Sequence, residues 1–473
     1  MNVKYLYINT IGCQMNVYDS EQMAGHLALL GYQQTAFPEA ADLIIVNTCT
    51  IREKAEQKAY SFLGRLARLK RKKKSLIIGI GGCVAQQDGK QILKRLPFVD
   101  IVFGTRAIHR LPDWIRQIEK KRCQIVDVEL TEEVRADEPI IGWQGETQSS
   151  RFVTIMRGCD NYCAYCVVPF VRGREISRPP ESIIKEIRSL VSHGVREVTL
   201  LGQNVNSYGK KEGLCSFAEL LARIDGIEDL LRIRFTTSHP KDLDADLIGS
   251  YRHLKKLCRH IHLPVQSGSN QVLKQMNRKY SRELYLDKVS KLRDTSSNIA
   301  ITSDIIVGFP GETDADFDAT LNLVKQVQYD GLFAFKYSDR PNAPAVHYPD
   351  KVSESRKNER LQILLAMQDA ITRKKNQALV GSIQEVLTDG LSKKEISSKL
   401  ADGRQPLQAT GRTFTNKIVN FYLDAEAESS GDIGTGNLLD VRIEKAFAHS
   451  LWGKPVLAQS TAKRVKGVDS YAA

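Results

Sequence analysis

Arg157-Gly158-Cys159-Asp160-Asn161-Tyr162-Cys163-Ala164-Tyr165-Cys166-Val167-Val168-Pro169 packs three thiols into eight residues with the spacing CxxxCxxC. A four-iron, four-sulfur cluster held by cysteine alone takes four thiolates, so three leave one iron with an open position for a small molecule. A zinc knuckle competes for the same thiols. Structural zinc takes four protein ligands, and residues 167–192 offer no further Cys or His. Only a remote His or an open catalytic zinc keeps that reading alive.

Around this stretch the chain alternates strand-like and helix-like segments, which predicts α/β architecture with parallel strands. From Arg151 to about Ser338 the expected strands are 152–156, 197–201, 232–236, 260–264, 299–307 and 331–337, with helices such as 180–193 and 314–328 between them. Six units over this length fit a partial (β/α)6 barrel better than a full eight-unit barrel, for which about 250 residues is usual. Polar clusters follow the strands where a barrel places its active residues: Gln203-Asn204 after the second, Ser238-His239 after the third, Gln266-Ser267 after the fourth and Asp304 in the fifth. His239, His260 and His262 are expected to satisfy backbone hydrogen bonds, and Cys123, Cys215 and Cys258 to pack. Gly308-x-Pro310-Gly311 lacks the spacing of a dinucleotide fingerprint.

The first third repeats one pattern three times. Apolar runs lead to Cys13, Cys49 and Cys83, each followed by a helical segment. Any one of these thiols alone reads as a buried small hydrophobe. In an open parallel sheet, however, the strands' carboxyl ends face one crevice, so three in the same topological slot are expected to meet. Glycine beside Cys13 and Cys83 would let backbone approach a bulky cluster.

The CxxxCxxC stretch, with Pro169 and the following Arg172-Gly173-Arg174-Glu175-Ile176-Ser177-Arg178-Pro179, resembles the signature of the radical S-adenosylmethionine (SAM) enzymes, and more narrowly of the methylthiotransferases. In that family the open iron binds the amino and carboxylate groups of SAM, and an electron cleaves the sulfonium to a 5'-deoxyadenosyl radical. The resemblance implies that Cys159, Cys163 and Cys166 are metal ligands. It makes Gln203, Asn204, Ser238, Gln266, Ser267 and Asp304 candidates for SAM contact, without one contact assigned to each. Gly12-Cys13-Gln14-Met15-Asn16, Asn47-Thr48-Cys49-Thr50-Ile51-Arg52 and Gly81-Gly82-Cys83-Val84-Ala85-Gln86 resemble the three cysteine motifs of the family's N-terminal domain. There they hold a second, auxiliary 4Fe-4S cluster, again with one iron free. Catalytic residues beyond the clusters are not assigned.

The organisation implied is an N-terminal parallel α/β cluster domain (1–128), a linker (129–150), a radical SAM core ending in a connector helix (151–376), a small C-terminal β-barrel (377–450) and a tail (451–473) read as disordered. Within the barrel the expected strands are 382–387, 417–422 and 438–443. Gly411-Arg412-Thr413-Phe414-Thr415-Asn416-Lys417 resembles the core of the TRAM domain, an OB-like RNA-binding module, although a solvated hairpin fits the same residues. Tyr337 to Ala345 resembles a family segment that often carries Gly-Thr where this chain has Asn342-Ala343.

Over 473 residues the net charge is +13, with 42% hydrophobic residues and nine cysteines. Such a basic balance favours nucleic acid or an anionic membrane as partner over small acidic substrates alone. No apolar run approaches the roughly 18 residues of a membrane span, and unpaired thiols suit a reducing, cytoplasmic compartment. Arg65 to Lys74 holds seven basic residues, which read equally as a helix C-terminus favoured by the dipole and as an RNA phosphate contact. The motif at Cys13 looks most like the MiaB-type branch of the family. That branch implies addition of a methylthio group to C2 of N6-(dimethylallyl)adenosine at tRNA position 37, with two SAM-dependent steps. Its partners would be the tRNA anticodon stem-loop, a low-potential electron donor such as flavodoxin or ferredoxin, and a sulfur donor. Sister enzymes act on threonylcarbamoyl-adenosine of tRNA or on a ribosomal-protein aspartate, and a non-enzymatic RNA-binding iron-sulfur or zinc protein is the rival from another class.

Overall fold

The computed structural model describes residues 3–50, 53–130, 148–392, 407–422 and 435–456. Most of the expected linker, the end of the expected tail, and Ile51-Arg52 of the second cysteine motif lie outside the described residues. The chain forms two compact units, Met1–Ile371 and Thr372–Ala473. No described helix is long and apolar enough to cross a membrane.

Two runs, Leu43–Thr48 (LIIVNT) and Ile77–Gly82 (IIGIGG), are buried at every position. Such runs suit central strands of a parallel sheet covered by helices on both faces. With β1 (Lys4–Thr10), β2 (Tyr32–Gln34), β3 (Leu43–Thr48), β4 (Ile77–Gly82), β5 (Ile101–Phe103) and β6 (Ile125–Asp127), they form a six-stranded sheet in the order β2-β1-β3-β4-β5-β6. Every pair is parallel. The crossover helices are α1 (Gln14–Ala28), α2 (Glu53–Lys72), the short α3 (Cys83–Asp88) and α4 (Lys90–Arg95), and α5 (Leu111–Lys120). Leu43 and Ile45 pack with Met23 and Leu27 of α1 and Trp114 of α5 on one face. Ile44 and Val46 pack with Leu63 and Leu66 of α2 on the other.

The same unit continues with β7 (Ser150–Thr154), β8 (Met156–Arg157), α6 (Val168–Arg172), β9 (Ile176–Ser177), α7 (Pro180–Ser192), β10 (Glu197–Leu201), α8 (Phe217–Asp225) and β11 (Arg232–Thr236). After these come α9 (Ala245–His253), β12 (His260–His262), α10 (Asn270–Gln275), α11 (Arg282–Thr295), β13 (Ala300–Val307), α12 (Asp314–Val327) and β14 (Gly331–Lys336). Two parallel sheets, β7-β10-β11 and β12-β13-β14, are joined by a bridge from Ile233 to Leu257. Together they give the expected six-strand partial barrel.

Helix α1 docks the first sheet on this barrel through buried polar contacts. Tyr18 donates to Glu186 Oε1 at 3.2 Å, and Arg151 reaches Glu21 at 2.9 Å. Arg178 pairs with Glu186 at 2.7 Å, the two side chains being 11% and 8% exposed. That exposure puts the pair among interactions whose rupture leaves an uncompensated buried charge.

Helix α13 (Glu354–Gln377) spans the boundary between the two units. The second unit is a closed barrel of β15 (Ile383–Leu391), β16 (Gln408–Thr413), β17 (Ile418–Tyr422), β18 (Leu438–Ala446) and β19 (Leu451–Pro455), in the order β15-β16-β17-β19-β18. Val386, Val419, Phe421, Val441, Ile443 and Leu451 fill it. Two expectations need correction here. Residues 451–455 are not tail: β19 closes the barrel, parallel to β17 and antiparallel to β18. A strand containing Gly453 and ending in Pro455 has poor β-propensity, but a Cβ on Gly453 would stand 2.4 Å from the Arg442 carbonyl oxygen, so the close strand contact selects glycine. Strand β16 was likewise unexpected, and Phe414 and Lys417 fall in the tight connection that follows it.

Candidate active site

The Cys159–Cys166 loop is fixed by the barrel around it. Strands β8 and β9 pair antiparallel at its base, Met156 with Ser177 and Arg157 with Ile176. Gly158 turns at φ +76°, and a Cβ there would lie 2.0 Å from the Arg174 carbonyl oxygen, so the position requires glycine. Asp160 accepts from Arg174 Nε at 2.8 Å and from the Glu175 amide at 3.2 Å. The Ala164 amide donates to Met276 O at 3.0 Å, and Asn277 donates to Tyr162 O at 2.9 Å. Side chains reach two of the sulfurs: Asn161 donates to Cys159 Sγ at 3.5 Å, and Arg278 Nη1 to Cys163 Sγ at 3.4 Å. Burial pushes Cys159 up to about 11 and Cys166 up to about 12, because desolvation disfavours bare thiolates. Metal loading would therefore release protons.

The second triad is assembled by the sheet. Cys13 precedes α1, Cys49 follows β3 and Cys83 opens α3 directly after β4. A hydrogen bond from Cys49, helped by the Arg172 charge, lowers Cys13 to about 6, whereas burial raises Cys83. The neighbouring glycines also have a steric role within the protein. At Gly12 (φ +139°) a Cβ would lie 2.4 Å from Cys49 Cβ, and at Gly82 (φ +91°) it would lie 2.3 Å from the Thr48 carbonyl oxygen. Their missing side chains let the strand ends close on one another, and no room for a cluster is needed to explain them.

Cys13, Cys83, Cys159, Cys163 and Cys166 line one cavity of about 240 Å3, with Cys49 behind, beside Cys13. Contacts across the seam are direct: Cys83 packs with Val167 and Val171 of α6, and Met15 and Tyr18 of α1 cluster with Leu201 of the barrel, with Cys13 and Phe152 packed against that cluster. A wider, open cavity of about 730 Å3 adjoins it and shares Cys166, Gln266 and Asp304. Among the described residues no three His, Cys, Asp or Glu side chains converge as one metal ion requires. A cubane cluster makes a different demand, because each thiolate takes a separate iron; Cys159, Cys163 and Cys166 stand around a common space, and Cys13 and Cys83 line the same space with Cys49 hydrogen-bonded to Cys13.

Of the polar candidates, Gln203, Ser238, Gln266 and Asp304 line the cavity. Asn204 and Ser267 do not. Asn204 donates to Asp242 at 2.7 Å and accepts from the His239 amide, while Ser267 lies 3.3 Å from Thr320 Oγ1 and accepts from the Ser269 amide. Ser238 Oγ, His239 Nε2 and Gln266 Oε1 are buried without a hydrogen-bond partner. Such groups are costly unless something polar meets them, so the cavity fits a polar cofactor such as SAM. His260 and His262 both contact the Thr302 hydroxyl, a side chain where a backbone partner was expected. His239 does more. Its Nδ1 accepts from the Lys241 amide and burial keeps the ring neutral, so Nε2 carries the proton as a donor on the cavity wall.

No sequence pattern gives Arg172 or Arg278 a role at the site, and His239 is expected only as a backbone hydrogen-bond partner, which it is to the Lys241 amide. Arg278 meets Cys163 across 115 residues and Arg172 meets Asp19 across 153. No local pattern marks a partner that distant.

Residues 5–104 match the family described as "Uncharacterized protein family UPF0004", and residues 153–324 match the radical SAM superfamily. A tRNA-2-methylthio-N(6)-dimethylallyladenosine synthase from Desulfosudis oleivorans is 52% identical over 473 residues, all of both chains. One from Syntrophus aciditrophicus is 52% identical over 459 residues, covering 96% of this chain and 95% of its own. The fold is also similar to the radical SAM methyltransferase TsrM from Kitasatospora setae, solved with tryptophan and a SAM analogue. There the TM-score is 0.54 at 14% identity, covering 81% of this chain and 78% of that one. With five thiols from the two triads on one cavity and relatives this similar along the whole length, the chain belongs to the family of the tRNA-2-methylthio-N(6)-dimethylallyladenosine synthases, within the radical SAM superfamily.

Proposed function

We propose that this protein adds a methylthio group to C2 of N6-(dimethylallyl)adenosine at tRNA position 37, with SAM as both radical source and methyl donor. The observation that carries this reading is the shared cavity, since the chemistry needs two metal sites within reach of one base. When bound, a 4Fe-4S cluster at each triad supplies one open iron, the central one for reductive cleavage of SAM and the N-terminal one for the sulfur that becomes the methylthio group. The rest falls to the chain's own groups. Cys159, Cys163 and Cys166 hold one cluster, oriented by Asn161 and Arg278, and Cys13, Cys49 and Cys83 hold the other. Ser238, His239 and Gln266 bind the polar groups of SAM, with Gln203 and Asp304 at the same wall. Val167, Val168 and Leu201 keep that wall apolar and exclude water. The adjoining open cavity, bordered by Tyr337 and Arg340, admits the base, and an exposed anticodon-loop base is the kind of target that proteins splay out and stack.

RNA contact is carried by basic surface. Within the basic run Lys70 and Lys73 are bound to Asp100 and Asp42, each at 2.6 Å, and belong to the fold. Arg65, Arg68, Arg71, Lys72 and Lys74 are exposed and available to phosphates. In the C-terminal barrel, which acts as a TRAM domain, Arg412, Phe414 and Lys417 serve the anticodon stem-loop. A low-potential flavodoxin or ferredoxin and a sulfur donor complete the system among cytoplasmic tRNA. Deleting the gene and digesting total tRNA for mass spectrometry tests the reading. The methylthio-dimethylallyl nucleoside should vanish and its dimethylallyl precursor accumulate. Its persistence, with loss of the methylthio-threonylcarbamoyl nucleoside instead, would transfer the protein to the sister activity. Reconstituted protein that loads iron but never cleaves SAM would exclude both.

A further inference from the structure

Each thiol triad has one arginine sealed against it. Arg278 is 4% exposed, with Nη1 3.4 Å from Cys163 Sγ and 3.2 Å from Tyr165 OH, Nη2 2.8 Å from Pro264 O, and Nε 2.9 Å from Tyr280 OH. None of these partners is a carboxylate. Arg172, also 4% exposed, places Nη2 3.0 Å from both Asn16 Oδ1 and Asp19 Oδ2 and is a hydrogen-bonding neighbour of the Cys83 thiol. Asn16 Oδ1 in turn accepts from Cys13 Sγ at 3.7 Å. Both arginines line the cavity that Cys13, Cys83, Cys159, Cys163 and Cys166 line.

A buried guanidinium without a counter-charge is expensive, so the pocket around Arg278 is built to face negative charge, and the thiolates of a bound cluster supply it. Arg172 differs in one respect. Asp19, 1% exposed, already offsets its charge. Hydrogen bonds to sulfur and the net charge around a cluster set its reduction potential, because a fixed cation stabilises the state that has gained an electron, most strongly where water is excluded. We propose that Arg278 and Arg172 are potential-setting residues, one for each triad, and that Asp19 damps the second. This rests on the two-cluster reading above. Arg172 stands six residues after Cys166 yet acts on the N-terminal triad, so the helix that follows one cluster loop carries the charge that tunes the other.

The test uses the full chain, reconstituted anaerobically, in two backgrounds that each leave one cluster: Cys159, Cys163 and Cys166 replaced by Ala, and Cys13, Cys49 and Cys83 replaced by Ala. Potentiometric titration with dithionite, read by electron paramagnetic resonance, gives each midpoint. Arg278→Gln should lower the central cluster's potential by at least the 59 mV that corresponds to tenfold in a one-electron equilibrium, and leave the N-terminal cluster unmoved. Arg172→Gln should do the reverse. Asp19→Asn should raise the N-terminal potential, a sign that mere loosening of the fold does not produce. Arg→Lys at either position keeps the charge and should stay within that tenfold. No shift, equal shifts of both clusters from one substitution, or a fall in Asp19→Asn would overturn the proposal. If a Gln variant loses its iron, the Lys variant decides: a loaded cluster near the wild-type potential supports a charge role, and loss of iron there too overturns it. Should the cysteine backgrounds fail to retain about half the iron each, the two-cluster reading itself fails, which is distinguishable from unmoved potentials in properly loaded chains.

Discussion

Cys159, Cys163 and Cys166 occupy one loop closed by a two-residue strand pair, whereas Cys13, Cys49 and Cys83 stand at three strand ends and have only the sheet in common. The first triad is a local object, held by hydrogen bonds from the barrel to its own backbone. The second exists only when β1, β3 and β4 are in register and Gly12 and Gly82 let their ends close. A metal site of the second kind is coupled to the stability of a whole domain. One of the first kind is coupled chiefly to its loop.

The largest test of that contrast is removal of each triad. Replacing Cys159, Cys163 and Cys166 by Ala should abolish 5'-deoxyadenosine formation and leave about four irons per chain, since each cluster has its own ligand set. Replacing Cys13, Cys49 and Cys83 should keep SAM cleavage and lose methylthiolation. Loss of all iron from either variant would break the picture of two independent sites. Glu186→Ala comes next, because it strands Arg178 beneath the docked α1. An unfolding cost of about 3–5 kcal/mol in urea is expected; a cost below about 1 kcal/mol would mean that the docking contact is not in the buried class.

Gly82→Ala separates the triads more finely. Its φ of +91° and the Thr48 carbonyl leave no place for a Cβ, so a strain of about 1–3 kcal/mol should fall on the N-terminal iron, while SAM cleavage by the central site persists. Equal loss of both irons would tie the two sites together. The smallest effect belongs to Tyr18→Phe, which removes one buried hydroxyl from the α1 contact and should cost about 1 kcal/mol of stability without changing iron content.

The strands at 197–201 and 232–236 fall where the apolar periodicity predicts them, because runs buried between helices leave a composition that can be read residue by residue. Strand β19 was illegible for the opposite reason. Leu451-Trp452-Gly453-Lys454-Pro455 has little strand character of its own and is held by its two neighbours. Polar residues at strand ends were readable as a group and not one by one. Gln266 and Asn204 look equivalent in sequence, yet Gln266 Oε1 faces the cavity wall unpartnered and Asn204 is spent on Asp242 and the His239 amide. The basic run divides the same way, with Lys70 and Lys73 drawn into the fold by Asp100 and Asp42, which immediately precede β5 and β3.

Sequence by itself determined the CxxxCxxC triplet, three more thiols that each follow an apolar run, and the α/β framework that holds them, because spacing and apolar periodicity are properties of neighbouring residues; the kind of metal came from resemblance to a family. Tertiary structure alone decided that thiols of both triads line one cavity, that glycines beside Cys13 and Cys83 serve strand closure, and that Arg172 and Arg278 stand against the sulfurs. These depend on atoms brought together across tens of residues at the glycines and more than a hundred at Arg172–Asp19 and Arg278–Cys163, where burial and charge act at distances that a linear pattern does not encode.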